Sequence, residues 1–283
     1  MTEPKWTVIT GSTGGIGREL ATLLAERGAS LILVNRSEAK AERQHAALVE
    51  KHPALTVARV TADFMDTEQI NSAVGEIYAL PGRIDALYNN AGLLTGDKQL
   101  SAQGLESHFA VNTLAPYLLI RQLRKKMARP SDAPAGMIVN FSSSAVTRLK
   151  SLELETLANP ESVGGLMTTY AQSKLAVTTL AAALANELKE EGLLIRAIDP
   201  GATKTAMTTG GNSGMPKLLS WLAPLLFSPA DKQAAKVVAG ADPLAFSGRS
   251  GIFVASAREK PMPAPSMDPQ NQRDLIALLD EFV

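Results

Sequence analysis

Tyr170 and Lys174 stand four residues apart in an alanine-rich segment that reads as a helix, which puts both side chains on one helix face. A free tyrosine has a pKa of about 10, too high for ready proton exchange at neutral pH. A neighbouring ammonium favours the phenolate and lowers that value, so the pair can serve as an acid/base unit. The spacing alone is a weak signal, because chance placement also produces it. Three adjacent hydroxyls, Ser142, Ser143 and Ser144, follow the apolar run 137–141. A hydroxyl at the carboxyl end of a strand can polarise a substrate carbonyl there.

A second constellation lies near the start. Gly11, Ser12, Thr13, Gly15, Ile16 and Gly17 sit between a strand-like run and a helix-like run. Glycine lets the chain turn tightly and approach a ligand without a Cβ in the way. The free N–H groups of a helix start favour an anion such as pyrophosphate. The spacing differs from the three-glycine dinucleotide fingerprint, and a turn without a ligand is the bland alternative. At the end of the second strand stand Asn35 and Arg36, where an NAD-preferring site puts a carboxylate for the ribose 2′-OH. Arg36, joined by Arg18, can instead meet a 2′-phosphate, which the planar guanidinium suits. The expected cofactor is therefore NADP(H), with NADPH bound more tightly than NADH.

The elements that must position these residues alternate. Strands are predicted over 6–10, 31–34, 56–60, 84–89, 137–141, 194–198 and 251–255. Helices are predicted near 15–27, 39–51, 67–79, 106–127, 169–190 and 230–241, with a short terminal helix after the proline-rich 261–269. Strands separated by helices of this length imply βαβ crossovers and a parallel sheet. Such strands are buried on both faces and read as continuous apolar runs, as Leu31-Ile32-Leu33-Val34 does. The expected fold class is α/β, a doubly wound parallel sheet of Rossmann-like type with helices on both faces, in one domain over 1–283. Two stretches break the rhythm: a long loop over 147–168, and 207–227, which begins with glycines and ends apolar.

The 283 residues include 28 Lys+Arg and 28 Asp+Glu, so the net charge is zero. That balance points away from nucleic acid as a partner. The basic run Arg121, Arg124, Lys125, Lys126, Arg129 reads as a solvated helix end whose cations complement the dipole. Cysteine is absent, which excludes disulfides, thiolate metal sites and a cysteine nucleophile. His45, His52 and His108 share no metal-ligand spacing, read as solvated or capping residues, and no metal is expected. No signal peptide is read at the N-terminus, and the apolar 218–227 is too short to span a bilayer. The expectation is a soluble cytoplasmic protein with no stable membrane insertion.

In order and spacing, the glycine turn, Asn89-Asn90-Ala91-Gly92, the serine after strand five, Tyr170…Lys174 and Pro200-Gly201-Ala202-Thr203 resemble the short-chain dehydrogenase/reductase family over about 5–255. The gap between Ser143 and Tyr170 exceeds the family's commonest spacing and resembles the retinol-dehydrogenase-like branch, as does Gly15-Ile16-Gly17-Arg18-Glu19. The resemblance implies that Gly11, Gly15, Ile16 and Gly17 line the pyrophosphate, and that Asp63, beside Phe64, contacts the adenine. It implies that Asn90 steadies the central sheet while Ala91 and Gly92 pass close to the cofactor. Asn112 would hold a water in a proton relay to Lys174, and Ser143 would orient the carbonyl. Tyr170 would transfer the proton, and Lys174 would bind the nicotinamide ribose and depress the tyrosine pKa. Thr203, after Pro200 and Gly201, would hold the carboxamide. Helix capping by Asp63 and a backbone role for Asn90 stay open as alternatives. The extra loop 149–165 would wall the substrate pocket, 206–228 would form a substrate lid or pack as core, and 259–283 would be a C-terminal extension.

The leading reading is hydride transfer between NADP(H) and the carbonyl or alcohol carbon of a small apolar substrate. The alternative is a non-catalytic NADP(H)-binding redox sensor, which would usually lack the tyrosine or the lysine. A scaffolding role leaves the five motifs unexplained. Pairing into a homodimer or homotetramer through the helices near 106–127 and 169–190 is left open beside a monomer.

Overall fold

The computed structural model describes residues 4–130, 133–158, 165–201 and 228–283. Thr203, nearly all of 206–228, and part of the 149–165 loop lie outside the described residues.

Aliphatic runs form the strands. β1 (Lys5–Thr10), β2 (Ser30–Asn35), β3 (Val57–Thr61), β4 (Arg83–Asn89), β5 (Gly136–Phe141), β6 (Leu193–Asp199), β7 (Ile252–Ala255) and β8 (Arg258–Lys260) make one sheet in the order β3-β2-β1-β4-β5-β6-β7-β8. All neighbours run parallel except β8, which pairs antiparallel with β7. β8 was not expected from the sequence, where its three mostly exposed residues carry no apolar run. Leu31, Ile32, Leu33 and Val34 are all fully buried, each worth roughly 1.5–3 kcal/mol of transfer free energy.

Helices cover both faces. One face carries α1 (Gly15–Glu26), α2 (Glu38–Lys51) and α8 (Ala230–Ala241) over an apolar cluster that includes Ile9, Leu33, Val139 and Val237. The other carries α3 (Thr67–Ala79), α4 (Ser107–Phe109), α5 (Ala115–Met127), the short α6 (Leu154–Leu157) and α7 (Gly165–Glu190). The single helix expected near 106–127 is interrupted by a π turn at Ala110–Leu114, a wider turn that recurs at functional sites. α7 is the central helix. Its residues 171–181 are all buried, so it is covered on every side rather than along one stripe.

The proline-rich tail is less irregular than expected, because it holds α9 (Ala264–Met267) before α10 (Pro269–Asp280). α10 lies against α7, buries Leu275 and Leu279, and hydrogen-bonds α5 through Asp280 and Tyr117. The described part of the long loop, 149–158, packs into the core through Leu152 and Leu157. It is tied to α7 by Gln172, which donates to Ser151 O at 3.1 Å and accepts from Glu153 N at 3.1 Å.

The basic run is less solvated than its charges suggested. Arg129 is buried and donates to Met127 O, Pro134 O, Ile84 O and Asp85. Arg121 holds both oxygens of Glu187 on α7 at 2.8 Å, and Arg124 also meets Glu187. These side chains brace helices and loops against one another as well as complementing the end of α5.

Candidate active site

The chain reverses its direction of strand addition between β1 and β4, since β1 pairs with both β2 and β4. In open α/β sheets the crevice outside the carboxyl ends at such a point is where ligands bind. A cavity of about 640 Å3 lies there. It runs from the glycine turn, past Arg36 and Asp63, to Ser143, Tyr170 and Lys174.

The glycine turn is shaped by contact. Gly11 has φ of +66°, and a Cβ there would come within 2.9 Å of Ala91 Cα. A Cβ on Gly17 would fall 2.4 Å from both Asn90 Nδ2 and Gly11 O. Asn90 in turn donates to Thr10 O at 2.8 Å and Gly11 O at 3.0 Å, so it ties the end of β4 to the turn. α1 starts from Gly14 with no side-chain cap, whereas α2, α3 and α10 are capped by Ser37, Asp66 and Asp268. Uncapped N–H groups facing a cavity fit an anionic group. Thr13, Gly15 and Ile16 line the cavity beside them.

Behind the turn a buried network holds it. Asn35 Oδ1 accepts from Thr13 N at 3.2 Å, and Asn35 Nδ2 donates to Ser12 Oγ at 2.9 Å. Gln44 Nε2 donates to Ser12 O at 2.7 Å. Ser12 is thus turned into the protein, and Asn35 supports the turn while lining the cavity. Arg36 lines the cavity too, 4.0 Å from Asp63, together with Ser37 and Lys40. Arg18 is not brought there. Gly17 faces inward, and the next residue along a helix is turned about 100° away, so the Arg18 guanidinium pairs with Glu19 at 2.9 Å near solvent. Asp63 does not cap α3; its Oδ1 accepts from Met65 N at 3.0 Å, and Phe64 beside it also lines the cavity.

At the other end the three serines separate. Ser142 Oγ is buried against Thr178 Oγ1 at 2.6 Å. Ser144 opens a short 3-10 turn over Ser144–Arg148. Ser143 Oγ accepts from Ala145 N at 3.3 Å and lines the cavity together with Tyr170. Lys174 Nζ, fully buried, donates to Phe141 O at 2.7 Å. Burial pushes the Lys174 ammonium down to about 8, with the Asp199 carboxylate opposing the fall. Burial raises the Tyr170 phenol above its ordinary value; the nearby Ser143 hydroxyl opposes this and Asp199 adds to it. The expected depression of Tyr170 by Lys174 is not found: burial is the largest influence on the phenol, and the ammonium is directed at the Phe141 carbonyl. Pro200 and Gly201 also line the cavity.

Asn112, on the π turn, does not reach the open cavity. Its Nδ2 donates to Leu93 O and to Ser173 Oγ, each at 3.0 Å, and its Oδ1 accepts from Leu93 N at 2.7 Å. It fixes the strand end that carries Ala91 and Gly92. A Cβ on Gly92 would sit 3.3 Å from Asn112 Oδ1 and 3.5 Å from Lys174 Nζ.

Three residues at or near the site had not been singled out for it. Asp199 ends β6 and lines the cavity, its Oδ1 accepting from Gly201 N at 2.8 Å. Burial pushes its carboxyl up, while bonds from the Gly201 and Ser144 backbones and the Lys174 charge pull it back. Lys40 is placed by the cap of α2; a cation three residues past a capping serine is its only sequence signal. His108 is neither solvated nor capping: it is buried, hydrogen-bonded to Glu106 and Thr95, and edge-on to Tyr170. The described part of the 149–165 loop does not line this cavity.

A parallel sheet in this order, with a glycine turn at its switch point, is the architecture of dinucleotide-binding proteins. The family profile described as short chain dehydrogenase matches residues 5–153 and 158–215. The short-chain dehydrogenase TIC 32 A, chloroplastic, of Brassica napus is 33% identical over 215 residues, covering 74% of this chain and 67% of its own length. Retinol dehydrogenase 12 of Bos taurus is 30% identical over 203 residues, 72% of this chain and 63% of its own. Among solved structures, levodione reductase superposes with a TM-score of 0.69 at 27% identity, over 89% of this chain and 98% of that one. A Sphingobium yanoikuyae short-chain dehydrogenase in complex with NADPH shares the fold, with a TM-score of 0.67 at 22% identity over 98% of this chain and 93% of that one. The chain belongs to the short-chain dehydrogenase/reductase family, oxidoreductases that act on CH–OH and C=O groups with a nicotinamide cofactor.

Proposed function

We propose that this chain is an NADP(H)-dependent oxidoreductase that interconverts a carbonyl and an alcohol on a small apolar substrate, with Tyr170 as general acid and base. The observation that carries the reading is that Ser143, Tyr170 and Lys174 line one end of a cavity whose other end is an uncapped helix start.

Gly11, Thr13, Gly15, Ile16 and Gly17 would hold the pyrophosphate, and Ala91, Gly92, Pro200 and Gly201 would flank the nicotinamide end. When bound, the nicotinamide supplies or accepts the hydride. Arg36 and Lys40 give the adenosine end two cations and Ser37 a hydroxyl, a set that suits a 2′-phosphate. In the reduction direction the Tyr170 Oη–H gives its proton to the carbonyl oxygen as charge grows there, and the Ser143 hydroxyl donates a hydrogen bond to the same oxygen. Oxidation reverses the proton's path. Lys174 keeps a buried positive charge beside the site. Leu93, Leu94, Val111 and Phe141 give the substrate end an apolar lining, which favours an apolar substrate. No helix among the described residues is long and apolar enough to cross a membrane; a cytoplasmic location is part of this proposal.

The test is NADPH consumption against a panel of apolar ketones, aldehydes and quinones, with cofactor binding measured alongside. Turnover with at least one class, and NADPH bound much more tightly than NADH, are expected. Tight NADPH binding with no turnover across carbonyl and alcohol panels would replace the enzyme by a redox sensor. Equal affinities for the two cofactors would remove the NADP(H) assignment.

A further inference from the structure

Beside Tyr170 the fold buries two titratable side chains that the proposed proton transfer does not use. Glu106 is 1% exposed and His108 is 0% exposed. Glu106 caps α4: one carboxylate oxygen accepts from Phe109 N at 3.0 Å, and the other meets His108 Nδ1 at 2.8 Å and the Ser107 hydroxyl at 3.0 Å. Burial pushes this carboxyl up, but the bonds from His108 and Phe109 outweigh it and hold it below its ordinary value. It is therefore ionised at neutral pH and can only accept.

On the far side of the ring, His108 Nε2 accepts from Thr95 N at 3.2 Å. A ring nitrogen that accepts an N–H carries no proton, and the tautomer follows from the bond made by the other nitrogen. The two contacts together require a neutral imidazole with its proton on Nδ1. That ring packs T-shaped against the Tyr170 ring, with centroids 6.3 Å apart and planes at 77°. Asn112 stands one turn further along and holds both backbone groups of Leu93. His108 and Asn112 thus close on one loop, whose Leu93 and Leu94 line the cavity. Both also lead to Tyr170, His108 directly and Asn112 through Ser173, whose hydroxyl donates to Tyr170 O at 2.8 Å.

We propose that Glu106 fixes His108 in its Nδ1–H tautomer, so that His108 positions Tyr170 and the loop 93–95 for proton transfer. The inference rests on Tyr170 being the proton-transferring residue. His108 is a positioning residue, since it meets the Tyr170 ring and a backbone N–H rather than a reacting atom. The carboxylate is what separates this role from simple capping. A glutamine at 106 would still accept the Phe109 N–H, so the cap would survive. Its amide could also donate to Nδ1, which moves the ring proton to Nε2 and points it at the Thr95 N–H.

The test is Glu106→Gln with Glu106→Asp beside it, read by 15N NMR of the His108 ring, by kcat and by NADPH affinity. In the wild type, Nδ1 carries the proton. Glu106→Gln is expected to shift it to Nε2, to lower kcat about 10- to 100-fold through misplacement of the acid, and to leave the NADPH Kd essentially unchanged. Glu106→Asp, which restores the acceptor, is expected to recover the tautomer and much of kcat. Should Glu106→Gln fail to fold, His108→Phe keeps an aromatic edge beside Tyr170 without an acceptor for Thr95, and the same fall in kcat at constant Kd is expected. An unchanged kcat in the variant that folds, an unmoved tautomer, or a joint loss of kcat and NADPH affinity that aspartate does not restore overturns the proposal. Tyr170→Phe is measured in parallel. If it retains turnover, the role of Tyr170 falls and this inference with it; if it is inactive while Glu106→Gln is not, only this inference falls.

Discussion

Lys174 Nζ donates to the Phe141 carbonyl at 2.7 Å, across the gap between α7 and the carboxyl end of β5. The ammonium is thereby fixed under the floor of the cavity, and burial pushes it down to about 8 while Asp199 opposes the fall. The same Asp199 carboxylate adds to the rise of Tyr170. In the reduction direction the competent state has Tyr170 protonated and Lys174 charged, and both protons are lost as pH rises. Asp199→Asn removes a charge that raises both groups. The alkaline limb of the pH–rate profile is therefore expected to move to lower pH. A limb that stays in place or moves upward shows that Asp199 does not act on the pair.

Cofactor choice rests on cations at the end of β2 and the start of α2. Arg36 lies 4.0 Å from Asp63 and is largely exposed, and Lys40 lines the same cavity. Charge-assisted bonds to phosphate are each worth about 1.5–3 kcal/mol, which is roughly tenfold or more in affinity. Arg36→Ala and Lys40→Ala are each expected to weaken NADPH by about that factor and to leave NADH nearly unaffected. Titration of both cofactors by quenching of protein fluorescence reads the difference; equal losses for the two would show that these cations do not face the 2′ position.

How much of this was legible in the sequence depends on the range of the contact. The strands, the helix near 67–79 and the one near 230–241 follow from local periodicity and turn residues, and the structure reproduces α3 and α8 at those bounds. The glycine turn and the Tyr170–Lys174 pair are also local patterns. Periodicity says which face of an element is buried, not what it meets. Asn35 and Gln44 close on Ser12 from 23 and 32 residues away, so their support of the turn had no sequence signature. Arg129 looked like the end of a charge run, yet a basic residue just past a helix can equally find buried carbonyls. The place of His108 has a partial sequence signal: Glu106 precedes it by two residues at a helix start, a spacing that allows a carboxylate to cap and to hold the ring at once. The extra turn at Ala110–Leu114 left no mark, because a single π turn barely shifts the apolar repeat.

Stability has its own test at Arg196, a fully buried cation on β6. Its guanidinium donates to Arg249 O, Gly240 O, Asp242 O, Pro243 O and Ala245 O, and it stacks 5.3 Å from the Phe246 ring. All but Gly240, which sits in the last turn of α8, belong to the turn between α8 and β7, where Phe246 and Ser247 hold φ of 55°, a region that costs a bulky residue energy. Arg196→Met keeps the volume and leaves the carbonyls without donors. A loss of about 3–5 kcal/mol is expected in chemical denaturation. A variant within about 0.5 kcal/mol of wild type, the range of an ordinary surface substitution, would show that the turn does not need the cation.

The proposed chemistry stands on Tyr170 moving the proton. Tyr170→Phe removes only the hydroxyl, and its most direct measurement pairs the NADPH dissociation constant with turnover on any substrate the wild type accepts. An essentially unchanged dissociation constant is expected, with a fall in turnover of about 10²- to 10⁴-fold, the usual contribution of a general acid or base. A variant that turns over at nearly the wild-type rate would contradict it.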